Sequence, residues 1–240
     1  MVESTASVLR HKIDTFQKDP LGSARYKMMY QARQLLNRWG QYKLRQHDAL
    51  GALVTFLANR PPSAIPPNYA DLWFLYQAVR KRKPRVIIEF GSGCSTAILA
   101  QALQNNHQES STSSGYLYSI DADQYWSTLA AQAIPEPLRK FCETSYSPVQ
   151  EIEYEGILGF RHAQVPDVVP NFLYLDGPGL TPERQVAVDV LDIEARLQPD
   201  FYMVIDGRKA NSQFLQKHLK RRYRVTEREI YFHEVFELVG

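Results

Sequence analysis

Four short apolar runs in this chain each carry an acid at or near their carboxyl end. They are Val86-Ile87-Ile88-Glu89-Phe90, Tyr118-Ser119-Ile120-Asp121, Leu173-Tyr174-Leu175-Asp176 and Val204-Ile205-Asp206. Glycine follows three of those acids within two residues, at Gly91, Gly177 and Gly207. A nearly all-apolar run such as residues 85–90 suits a strand covered on both faces. Between the runs, residues recur at helical spacing, so strands alternate with helices and the sheet is mostly parallel. Further strands are expected at 149–154, 223–230 and 232–239. The last two lie too close together for a crossover helix and pair antiparallel.

Helices are expected over 95–103, 124–132 and 209–221, with one more starting at Thr181-Pro182, a cap followed by a first-turn proline. Val186, Val190, Ile193 and Leu197 form the core face of that last helix. The polar stretch 104–115 reads as a loop. Upstream, residues 6–60 read as helices, with Ala24, Met28, Leu35, Trp39 and Tyr42 at helical spacing. The proline cluster Pro61-Pro62 and Pro66-Pro67 breaks them off. An N-terminal helical region with its linker, 1–67, and a second domain, 68–240, are therefore expected. Asn68 and Asp71 open a helix whose buried stripe is Leu72, Leu75 and Val79 and whose end is the basic run 80–83.

Composition excludes several classes. The chain is 240 residues long, 44% hydrophobic and 22% charged, which rules out wholesale disorder and fibrous repeats. No apolar run is long enough to span a membrane, and no charged-then-apolar leader is visible at Met1-Val2-Glu3-Ser4. Cys94 and Cys142 form no disulfide framework and have no metal-ligand spacing. A reduced, cytoplasmic protein is expected. The net charge of +2 hides an asymmetry: residues 1–60 hold ten Lys/Arg against four Asp/Glu. A basic front end fits an anionic partner, a nucleic acid or a membrane surface, though a solvated helix face explains it more simply.

In parallel sheets ligands bind beyond the carboxyl ends of the strands. Gly91 and Gly93 permit a tight turn there, and the amides opening the next helix, with Ser92, Ser95 and Thr96, favour a negative group. Asp121 suits the two hydroxyls of a ribose. Thr96 stands where a dinucleotide fingerprint needs its third glycine, and Glu89 would repel a phosphate while suiting an ammonium group. NAD is thereby disfavoured and S-adenosylmethionine favoured. No Walker lysine is present, and Gly-Ser-Gly-Cys-Ser is not a nucleophile elbow.

The run Val86 to Gly93 resembles the first motif of class I S-adenosylmethionine-dependent methyltransferases, with Ser95 in place of the last glycine. Tyr118-Ser119-Ile120-Asp121 is similar to the second motif and Leu173 to Pro178 to that at the fourth strand. The resemblance covers roughly 68–240. It implies a Rossmann-like seven-stranded sheet closed by the antiparallel hairpin. It also implies that Glu89, Gly91 and Gly93 contact the methionine half of the cofactor, that Asp121 holds its ribose and that Asp176 lies near the methyl group. Ser92, Ser95 and Thr96 complete the expected cofactor set. Asp176 is the first candidate base, with His162 and His233 behind it. Asp206 and Arg208 are expected to touch the substrate, and no metal is expected. The expected activity is methyl transfer to an oxygen of a small molecule such as a sugar. The alternatives are a nucleic-acid methyltransferase and a nucleotide-binding module without turnover. Trp39, Trp73 and Trp126 are assigned to the core, and Cys94 to filling space.

Overall fold

The computed structural model describes residues 20–239 except Asp48, Pro62, Ser63, Ser111, Ser113, 180–185 and Phe232. Residues 6–19 of the expected helical region 6–60, and the expected helix start at Thr181-Pro182, lie outside those residues. Three helices come first: α1 (Pro20–Gln46), α2 (Ala49–Ala58) and α3 (Tyr69–Arg82). Strand β1 (Val86–Phe90) is followed by α4 (Cys94–Glu109), β2 (Tyr116–Asp121), α5 (Gln124–Ala133), a 3-10 turn (Glu136–Phe141) and β3 (Cys142–Tyr146). A hairpin, β4 (Val149–Tyr154) and β5 (Ile157–His162), precedes β6 (Phe172–Leu175). The rest is α6 (Asp189–Ile193), a 3-10 turn (Glu194–Arg196), β7 (Tyr202–Asp206), α7 (Lys209–His218), β8 (Tyr223–Arg228) and β9 (His233–Leu238).

Seven strands form one sheet in the order β3-β2-β1-β6-β7-β9-β8. All pair parallel except β9, which runs antiparallel between β7 and β8. The expected Rossmann-like sheet and terminal hairpin are therefore present. Alternate residues feed two cores. Ile87, Phe172, Tyr174, Val204 and Val235 pack on one face with α2, α3 and α4. Ile88, Phe90, Leu173, Leu175, Met203, Ile205 and Phe236 pack on the other with residues of α6 and α7. Covering both faces is what makes the strands nearly all apolar. No described helix is long and apolar enough to cross a membrane.

Several boundaries differ from the sequence expectation. The third strand of the sheet is β3, at a stretch where the sequence predicts no strand. Residues 149–154 do form a strand, but they pair with β5 in a separate antiparallel hairpin. Helix α4 runs six residues past the expected end. Its polar tail is held rather than free: the buried Asn106 donates Nδ2–H to Val79 O at 3.1 Å and accepts from Arg80. Val186, Val190, Ile193 and Leu197 are buried as expected, yet they do not lie on one helix. Phe160 donates to Val186 O and Val188 donates to Phe160 O, both at 3.0 Å, and Asn211 bonds both main-chain groups of Ala187. Those main-chain groups are committed across the chain, so helix begins only at Asp189.

Of the expected apolar stripe of α1, the Ala24 side chain lies outside the described ones and the other four face outward. Met28, Leu35 and Tyr42 are more than half exposed and Trp39 is exposed. The packed face is instead Asn37, Gly40 and Leu44. Asn37 Oδ1 accepts from Tyr69 N at 2.6 Å and Ala70 N at 3.3 Å, and so caps α3 together with Asn68. A β-carbon at Gly40 would fall 2.3 Å from Tyr69 O, so the close crossing of α1 over α3 requires glycine there.

Two contacts hold the carboxyl end of β1. Glu89 is fully buried, and its Oε2 accepts from Thr96 Oγ1 and Ser119 Oγ, both at 2.6 Å. Thr96 Oγ1 in turn accepts from Gly93 N at 2.9 Å, so β1, β2 and the start of α4 share one acid. Gly91, at φ +97°, lies against Gly177: a β-carbon on Gly91 would sit 2.6 Å from Gly177 N. Gly91→Ala combines backbone strain with a main-chain clash, and a loss on the order of 3 kcal/mol in urea denaturation is expected.

Burial pushes the Glu89 carboxyl up to about 7, against the opposing pull of hydrogen bonds from Ser119, Ser95 and Thr96. A raised folded-state value in an acid means that the native state holds the proton longer than the unfolded chain. Its ionisation therefore costs stability as pH rises from the unfolded value of about 4.5 to about 7. Glu89→Gln keeps an acceptor for Thr96 and Ser119 and has no proton to lose. Relative to wild type, its unfolding free energy is expected to rise by on the order of 2–3 kcal/mol across that window.

Candidate active site

One cleft of about 670 Å³ opens beyond the carboxyl ends of β1, β2, β6 and β7, where the strand order reverses. Its volume lies within the range of small-molecule sites, about 300–1,000 Å³. Gly91, Ser92, Gly93, Cys94 and Ser95 form one wall, continued by Asp121, Ala122, Asp123 and Trp126. Tyr174, Asp176, Gly177, Pro178, Gly179 and Asp206 form the opposite wall. The segment from Ile65 to Asn68, with Arg60, Asp71 and Leu72, covers the cleft. The proline-rich stretch is therefore part of the site wall. Arg60 anchors it, donating to Cys94 Sγ at 2.7 Å and to Ile65 O at 2.8 Å.

At β2, Asp121 Oδ2 accepts from Ser92 N at 2.8 Å and Ser92 Oγ at 2.7 Å, and Oδ1 accepts from Asp123 N at 2.9 Å. The carboxylate is thus locked in orientation on the cleft wall. Asp123 caps α5 through Tyr125 N and Trp126 N, which sets the half-buried Trp126 ring beside it. Glu89 and Thr96 do not line the cleft. They are sealed beneath the loop and act on it by holding Gly93 N.

At β6 and β7 the site is acidic. Asp176 opens into the cleft, and its carboxyl is raised by the protein packed around it and by the neighbouring Asp206 carboxylate, with Arg208 pulling the other way. Asp206 Oδ2 accepts from the Tyr174 hydroxyl at 3.1 Å. Burial and the Asp176 and Asp206 charges raise that phenol well above 10, so it remains a donor. Asp71, on α3, is pushed up to about 7 by burial; His233 lowers it, Asp206 raises it, and Arg33 and Asn68 favour its charged form.

Three sequence expectations change here. His162 is buried away from the cleft, its ring stacked on Phe90 at 4.9 Å and its main-chain N–H donating to Asp189 Oδ1 at 2.8 Å. Its place is structural because β5 belongs to the separate hairpin. Arg208 is also buried and does not line the cleft: it donates to the carbonyls of Asp176 and Pro178, bracing the loop after β6. Trp126, assigned to the core, lines the cleft, and Trp39 is exposed; Trp73 alone is core.

His233 is brought to the back of the site, its Nε2 3.3 Å from Asp206 Oδ1 and 3.7 Å from Asp71 Oδ1. Sequence reasoning missed Asp71, Tyr174 and Arg60 as site residues. Asp71 had a signal, an acid in the first turn of a helix directly after a breaker, but that signal equally describes a dipole-favoured cap.

No protein-family model and no curated protein sequence matches the chain. Solved structures do. The SAH-bound methyltransferase PaMTH1 of Podospora anserina is similar at 11% identity with a TM-score of 0.51, over 79% of this chain and 88% of that one. Cofactor-bound Rv0187 from MTB is similar at 13% identity with a TM-score of 0.51, over 80% and 89% of the two chains. At such identities the likeness speaks for architecture, and together with the strand order it shows that this chain has the Rossmann-like fold of class I methyltransferases.

Proposed function

We propose that the protein is an S-adenosylmethionine-dependent methyltransferase acting on an oxygen of a small molecule. The observation that carries this reading is the pairing within one cleft of a locked ribose-type acid, Asp121, with an acidic far end formed by Asp71, Asp176 and Asp206. PaMTH1 is SAH-bound and Rv0187 is cofactor-bound, and that supports the same assignment here.

The residues present fit the cofactor. Asp121 accepts three hydrogen bonds of the about four that a carboxylate can take, so it keeps room for one ribose hydroxyl, and a second would take the place of Ser92 Oγ. Trp126 supplies a flat apolar face beside it. The amides opening α4 and the nearby Arg60 favour a carboxylate. Glu89, sealed beneath the loop, would contribute by shaping the backbone rather than by direct contact.

When bound, the sulfonium supplies an already activated methyl group. What remains for the chain is to position an acceptor oxygen in line with it and to remove its proton. Asp176 opens into the cleft, and its raised value suits a base working near neutrality. Residues 65–68, with Asp71 and Leu72 of α3, line the same cleft and would bound the space left for the acceptor.

Cofactor binding is read first as a thermal shift. At about a hundred times its Kd, a ligand stabilises by about 2.7 kcal/mol, on the order of 5–10 °C for a chain of this size. Such a shift is expected with S-adenosylmethionine and with its demethylated product, and is expected to vanish in Asp121→Ala. No shift at millimolar ligand overturns the reading. For turnover, Asp176→Asn is expected to lower kcat by about 10²–10⁴-fold against an acceptor found by screening hydroxylated metabolites. Unchanged kcat in that variant removes Asp176 as the base.

A further inference from the structure

At the back of the cleft, three ligand-type side chains from three distant stretches of chain meet. Asp71 comes from the first turn of α3, Asp206 from the end of β7 and His233 from the start of β9. One oxygen or nitrogen from each lies within 4.8 Å of the other two. The arrangement follows from the fold. Asp206 and His233 are directly opposed in the β7–β9 pair, so their side chains leave the sheet on the same face. Helix α3, capped by Asn37 and Asn68, lays Asp71 across them.

The polar atoms at this point are unsatisfied. Asp71 Oδ1 and both ring nitrogens of the fully buried His233 have no hydrogen-bond partner. The 3.3 Å and 3.7 Å separations from His233 Nε2 are contacts without hydrogen-bond geometry, and one N–H cannot point at two carboxylates together. Orphaned groups inside a protein each cost free energy unless something satisfies them. The surroundings meanwhile hold the three side chains in orientation. Tyr174 binds Asp206 Oδ2 and leaves Oδ1 facing the imidazole. Phe74 at 5.1 Å and the stacked Tyr231 at 6.0 Å contact the His233 ring.

We propose that Asp71, Asp206 and His233 form a binding site for one divalent transition-metal ion, with Asp71 and Asp206 presenting it to the cleft. An ion at ~2.0–2.2 Å from each ligand atom sets those atoms about 3–3.5 Å apart, close to the 3.3 Å and 3.7 Å that separate His233 Nε2 from the two carboxylates. One imidazole with two carboxylates suits Mn²⁺ or Zn²⁺ better than Mg²⁺ or Ca²⁺, which favour oxygen alone. The ion's charge would offset the two carboxylates that face each other here. This differs from the sequence expectation of no metal, and its ligand set does not include Asp176. Ion binding stands independently of the methyltransferase reading. Only the ion's use, holding an acceptor oxygen at the far end of the cleft, rests on that reading.

The test uses the full chain, stripped with EDTA and titrated with Mn²⁺ in the absence of any cofactor. Calorimetry and the electron paramagnetic resonance signal of free Mn²⁺ are the readouts. One ion per chain is expected. Asp71→Asn is expected to weaken it by about 100-fold or more, and Asp176→Asn by less than about 3-fold. Circular dichroism checks that each variant is folded; where Asp71→Asn is not, His233→Gln takes its place. Absence of Mn²⁺ and Zn²⁺ binding at millimolar ion overturns the site, leaving a bare Asp–His–Asp cluster. Undiminished binding in a folded Asp71→Asn overturns it too, as does equal loss in Asp176→Asn. Because no cofactor is present, none of these results bears on the thermal-shift test above.

Discussion

A carboxylate with no access to water governs the geometry of this molecule. Glu89 lies on the α4 side of β1, where an apolar residue would be the simpler choice, and three hydroxyl-bearing neighbours come to it. Ser119 ties β2 to β1 at this level, and Thr96 ties the first turn of α4. Through Thr96 the constraint passes to Gly93 N, and hence to the loop whose next link is Ser92 on Asp121. The cleft wall is thus the upper surface of a polar network whose base is buried. Such networks are costly when half satisfied and rigid when complete.

The second wall depends on a gap. Strand order reverses between β1 and β6, and the chains leaving them diverge except where Gly91 meets Gly177. That contact admits no side chain, so the two loops touch by main chain alone and then separate around the cleft. Arg208 braces the far loop from behind by its carbonyls. A buried guanidinium used in this way leaves the acids in front of it as the chemical surface.

The strand ends were legible from sequence because their signal is local. An apolar run of four or five residues closing on an acid and a glycine specifies strand and turn within a few residues. The elements that were misplaced depend on remote partners. The strand β3, Cys142-Glu143-Thr144-Ser145-Tyr146, has weak apolar character and becomes a strand because β2 offers it an edge. Residues 149–154 carry a stronger strand pattern, yet that edge is already taken and they pair with β5 instead. Val186 to Leu197 have helical spacing, but Phe160 and Asn211 claim the first main-chain groups. The polar end of α4 is helical because α3 supplies partners for Asn106.

The two histidines mark the same division at the site. Both stand near strand ends, and the sequence assigns them equal standing as candidate bases. The fold sends His162 into a hairpin against Phe90 and Asp189, and His233 into the space between Asp206 and Asp71. The sequence alone determined the alternation of helices with β1, β2, β6 and β7, the glycine turn and the acids that close those strands, since each follows from periodicity and backbone freedom over a few residues. Which of those groups share a cleft was decided by tertiary structure. Asp71 and His233 are far apart along the chain, and only the packing of α3 over an antiparallel strand pair brings their side chains within reach of each other.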